Sequence, residues 1–148
     1  MPNHYHEDDY HAAYRNINPT PCVFEKAILA HCVACELTEK HLLAERETIN
    51  CRDAVAQQTC SELRKALRNH FAFSLRVIKS DDPLPHGKES KIQCGGLQGL
   101  QQVLSKTKEV TNVHQLILDA LAKYYDLESL PYSEIVPTVA HFNLRRHH

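Results

Sequence analysis

The sequence predicts an all-α fold, a bundle of five or six helices with a long Pro-containing loop before Cys94. Three observations predict it. Apolar residues recur at alternating spacings of three and four over long stretches. Glycine is scarce, four in 148 residues with none before Gly87, so little punctuates the first half of the chain. No alternating run is long enough for a sheet strand, apart from a short extended piece at Lys91-Ile92-Gln93.

Residues 1–19 carry His4, His6, His11, Glu7, Asp8 and Asp9 and read as a mobile, polar arm. Residues 20–148 read as a single helical domain. Thr20 and Pro21 resemble an N-cap and a first helical position. Phe24, Ile28, His31 and Cys35 then share one helical face, and no Gly or Pro interrupts residues 22–49, so the helix is expected to run to about Ile49 or to bend near Thr38. Asn50 and Asp53 mark a second start. Ala56, Cys60, Leu63, Leu67, Phe71, Ser74 and Ile78 form the apolar stripe of that helix, with Glu62, Arg64, Lys65 and Arg68 on its wet side. The run Ser80-Asp81-Asp82-Pro83-Leu84-Pro85-His86-Gly87 is a loop by its breakers. Cys94-Gly95-Gly96 is expected to open the next helix. Asn112 caps another. The last begins near Tyr132, with Pro137 kinking it or delaying its start.

Composition removes several function classes. Hydrophobic residues make up 43% and charged residues 24%, as in an ordinary folded domain. With 17 basic and 18 acidic residues, nothing calls for nucleic acid or an anionic membrane. Too few glycines are present for a Rossmann or P-loop fingerprint. The first residues lack the basic and apolar regions of a secretory signal, so a cytoplasmic protein is expected. A ferritin-like di-iron centre needs Glu-x-x-His on two helices, and that spacing does not occur.

Six cysteines and eleven histidines are the unusual supply. In a reducing compartment such cysteines point to metal or redox chemistry before disulfides. Cys22, Cys51 and Cys94 each fall at an expected helix start, where the macrodipole favours thiolate. Cys32 and Cys35 form a C-x-x-C on one helical face. Cys60 sits on the apolar stripe and reads as a core thiol, less suited to a metal. Cys22 and Cys32 would lie ~15 Å apart along an unbroken helix, and Cys51 and Cys60 ~13 Å, so neither pair can share one zinc. The same spacings admit a rival, two antiparallel helices stapled by two disulfides. Cys94 is also the best nucleophile candidate, with His86 or His114 as a base, although neither is placed beside it by the sequence.

The segments Cys22–Leu29, Leu43–Glu47, Leu84-Pro85-His86, Gln93–Leu97 and Leu130–Val136 resemble an uncharacterised family of small cysteine-rich proteins from proteobacteria. The resemblance covers residues 21–140. It implies a bacterial cytosolic protein and brings no catalytic residues with it.

The function expected from these residues is an iron–sulfur cluster protein, acting in electron transfer or redox sensing through a protein partner. The candidate ligands are Cys22, Cys32, Cys35, Cys51 and Cys94. Zinc in the same ligands is the alternative cofactor. The rival function is a helical interaction module, cofactor-free or held by zinc or disulfides. Cys94 is expected to matter more than Cys60.

Overall fold

The computed structural model describes residues 20–71 and 86–143. The expected arm at residues 1–19 lies outside the described residues, as does most of the expected loop before Gly87.

The described chain corrects the all-α expectation. About 61% of it is helical and 14% is extended, and a two-stranded antiparallel sheet stands beside five helices. The elements are α1 (Glu25–Leu29), β1 (Thr38–Leu43), β2 (Arg46–Cys51), α2 (Ala54–Phe71), α3 (His86–Ser105), α4 (Val113–Tyr124), a 3-10 turn (Leu127–Ser129) and α5 (Tyr132–Ala140).

The long first helix expected over residues 22–49 is replaced by a strap, one short helix and a hairpin. Residues 20–22 are extended because they pair with β2. The Cys22 N–H donates to the Ile49 carbonyl at 2.8 Å, and the Cys51 N–H donates to the Thr20 carbonyl at 2.7 Å. Helix α1 stops where His31 takes a positive φ of 61°. The hairpin pairs Thr38 with Cys51 and Leu43 with Arg46. Its two-residue loop, Ala44-Glu45, has positive φ at both positions, 51° and 66°. That geometry suits the twist of a hairpin, but the usual Asn-Gly signal is missing. Burial along the strands also does not alternate cleanly, so no period-2 pattern marks them.

Helix α2 begins three residues later than expected. Asp53 caps it, its Oδ1 accepting from the N–H groups of Val55 and Ala56 at 2.9 and 3.1 Å. Asn50 instead accepts from the Thr20 N–H at 3.1 Å. Helix α4 starts at Val113, just after Asn112, as expected. The Asn112 side chain, however, accepts from the Glu36 N–H at 3.2 Å and so holds the loop before β1, not its own helix. Pro137 is accommodated inside α5.

Helix α3 is the centre of the molecule. It packs most extensively on α5 and also touches α1, α2 and α4. Every residue from Ile92 to Leu100 is buried, so this helix is covered all round there. Lys91-Ile92-Gln93 is helical, and Cys94 lies well inside α3. The two glycines after Cys94 therefore do not form a turn. A Cβ on Gly95 would stand 2.7 Å from Val139 Cα and 3.0 Å from the Thr138 carbonyl oxygen. Gly95 thus lets the backbones of α3 and α5 approach closely.

Gly95→Ala is expected to destabilise the fold by about 1–3 kcal/mol, because helix backbone cannot yield as a side chain can. Gly99→Ala should cost less, since its Cβ would meet the Ile135 and Thr138 side chains. Gly87→Ala meets nothing within 4 Å and should be neutral or stabilising. Urea unfolding of the three variants checks this order. Among the described residues no helix is long and apolar enough to cross a membrane.

Candidate functional site

Four cysteines from four separate segments line one cavity: Cys22, Cys35, Cys51 and Cys60. Cys22 is delivered by the strap that pairs with β2. Cys51 is the last residue of β2. Cys35 precedes β1 and is fixed by a turn in which its carbonyl accepts from Thr38 Oγ1 at 2.8 Å. Cys60 projects from α2, whose Gln57 Nε2 donates to the Pro21 carbonyl at 3.1 Å. That bond seats the Cys60 face of α2 against the Cys22 strap.

The loop carrying Cys35 is docked on α4. The Ala34 N–H donates to the Val110 carbonyl at 3.0 Å, and the Val113 N–H donates to the Ala34 carbonyl at 2.9 Å. His114, in the first turn of α4, reaches the same cavity. Arg52 ties the opposite edge, its N–H donating to the Leu37 carbonyl at 2.8 Å and its guanidinium to the Glu36 carbonyl.

The rest of the lining is largely apolar, with Val23, Phe24, Ile28, Leu37, Ala56 and Val113. The space measures about 380 Å³ counted out to its mouth, of which about 20 Å³ is wide enough for a water. Among the described residues, no group of three or more His, Cys, Asp or Glu side chains is arranged to hold a metal ion.

Burial dominates the protonation of these thiols. It pushes Cys22 up to about 12, with the backbone hydrogen bond at Phe24 opposing it and Cys35, Cys51 and Glu25 adding to it. Burial also pushes Cys60 up to about 12, with Cys22, Cys35 and Cys51 adding. Cys51 is raised for the same first reason, against a backbone hydrogen bond from Asp53. The expected thiolates at helix starts are therefore not what the fold builds. Without a cation these groups stay protonated, and a bound metal would reverse that balance.

A pH prediction follows for the metal-free protein. A thiol raised from 9.0 to about 12 in the folded chain contributes stability that is fully present below pH 9.0. That contribution is lost as pH climbs toward about 12. The urea midpoint should fall over this window, and Cys60→Ala should flatten the fall.

The structure thus brings together Cys22, Cys35 and Cys51 of the expected ligands and adds Cys60 to them. Cys32 and Cys94 do not line the cavity. The C-x-x-C is split, because the chain between Cys32 and Cys35 is not helical. Cys94 is fully buried at 0% exposure, inside α3 and not at its start. Its thiol is raised, first by its hydrogen bond with Cys32 and then by burial, which does not suit a nucleophile. All six cysteines are free, and the stapled helical hairpin is not formed.

No protein-family model matches the chain, and neither does any curated protein or solved structure.

Proposed function

We propose that Cys22, Cys35, Cys51 and Cys60 hold an iron–sulfur cluster that serves electron transfer or redox sensing with a protein partner. The observation that carries this reading is the convergence of four thiols, from the strap, the loop before β1, the end of β2 and α2, on one cavity. Four thiolates in an apolar shell are the ligand set of such clusters. The spacing supports a cluster over zinc. Structural zinc sites usually draw ligands in pairs two to four residues apart. Here the cavity cysteines are far apart in sequence, and the one close pair, Cys32 and Cys35, is divided. Cys35 and Cys51 are half-buried, beside exposed Glu36 and Arg52, so a cluster edge would lie near the surface that a partner can reach. As arranged, the thiols do not form a single-ion site, so either cofactor would require them to move closer together.

Anaerobic reconstitution with ferrous iron and sulfide tests the reading. The expected product is brown, holds iron and acid-labile sulfide in stoichiometric amounts, and bleaches reversibly on reduction. Colourless protein that takes up one zinc on four thiols would replace the cluster by structural zinc. Colourless protein that binds neither would leave a cofactor-free module.

A further inference from the structure

The two cysteines outside the cavity meet each other. Cys32 follows α1 on the chain, and its N–H donates to the Ala27 carbonyl at 3.0 Å. Two buried glutamines of α3 hold this turn against the helix. Gln93 Oε1 accepts from the Ala27 N–H at 3.2 Å, and Gln98 Nε2 donates to the Cys32 carbonyl at 3.1 Å. Cys94 lies between those glutamines in sequence, which sets its side chain beside that of Cys32, whose Sγ stands 4.0 Å from the Ala30 carbonyl oxygen. Cys32 keeps 7% of its surface exposed, whereas Cys94 keeps none.

We propose that Cys32 and Cys94 form a redox-active dithiol that closes to an internal disulfide by exchange with a small-molecule disulfide such as oxidised glutathione. Cys32 is the attacking group. The Cys94 hydrogen bond draws its thiol below the ordinary value, against burial, and it holds the exposed edge. Its thiolate attacks one sulfur of the small disulfide, whose S–S bond breaks and releases one thiolate. Cys94 then attacks Cys32 Sγ in the mixed disulfide and expels the second thiolate. Two electrons pass from the protein dithiol to the small disulfide, and the two protons pass to the two released thiolates. The new bond would tie the loop before β1 to α3 three residues before Cys35. The disulfide itself does not depend on the cofactor reading; only its effect on Cys35 does.

The experiment uses the full chain, reduced and then equilibrated at fixed ratios of oxidised to reduced glutathione. Acid quenching, alkylation and peptide mass mapping give the linkages, and iron after reconstitution is measured in parallel. The expected result is a Cys32–Cys94 peptide that grows with oxidised glutathione and reverts with reduced glutathione. Oxidation should raise Tm by more than about 5 °C, since the bond closes a long loop. Cys94→Ser should stop at a glutathione adduct on Cys32, and Cys32→Ser should give neither product. The proposal is overturned if wild-type protein links Cys94 to another cysteine, or keeps Cys32 and Cys94 reduced at every ratio. Wild-type mapping decides this even where Cys94→Ser folds poorly. Iron content separates the two readings: a cluster without the linkage sinks only this proposal, and the linkage without iron sinks only the cluster.

Discussion

Cys60→Ser is expected to lower the iron retained after reconstitution by more than about tenfold, and Cys22→Ser, Cys35→Ser and Cys51→Ser should do the same. Each removes one of the four thiols that line the cavity. Cys94→Ser should keep iron near the wild-type level. Its cost should appear in folding, at about 1–3 kcal/mol, because a hydroxyl is placed in an apolar interior. Iron and sulfide assays with urea unfolding separate the two effects. Equal iron loss in Cys94→Ser and Cys60→Ser would count against the four-thiol set.

This ordering reverses the one drawn from sequence, and the reasons are physical. Cys60 shares a stripe with Ala56 and Leu63, so periodicity marks it as facing inward. Periodicity cannot tell whether an inward residue meets close packing or a cavity. The available signal was Cys51 standing nine residues before Cys60. Along one helix that separation keeps them apart, but β2 ends at Cys51 and α2 starts at Ala54, and the corner between brings both to the same space. Cys94 misled in the opposite sense. Gly95 and Gly96 look like a turn in sequence, yet they lie inside α3, where Gly95 admits the backbone of α5. The stripes of α2, α4 and α5 were legible because each buries one face at helical spacing. The hairpin was not, because Ala44 and Glu45 take left-handed conformations without the residues that normally announce them.

Glu89→Ala is expected to cost about 3 kcal/mol or more of stability, through a charge group that sequence placed on a wet surface. Arg64 and Arg68 read as the solvated side of α2. In the fold they turn toward Glu89 on α3, with Arg64 Nε at 3.3 Å and Arg68 Nε at 4.0 Å from its carboxylate oxygens. The Glu89 side chain is only 7% exposed and that of Arg68 16%, so removing the carboxylate leaves positive charge facing a poorly solvated space. A second effect adds to the first. Gln93 Nε2 donates to Glu89 at 2.8 Å, while Gln93 Oε1 accepts from the Ala27 N–H and holds α1 in place. Glu89→Ala therefore also frees the side chain that seats α1 against α3. Glu89→Gln keeps hydrogen-bonding capacity and should cost less. Urea unfolding at low and high salt checks the assignment, since a pair this buried is weakly screened. A double-mutant cycle with Arg68→Met should show coupling of about 1 kcal/mol or more. A loss below about 1 kcal/mol in Glu89→Ala, abolished by salt, would return the group to the class of ordinary surface ion pairs.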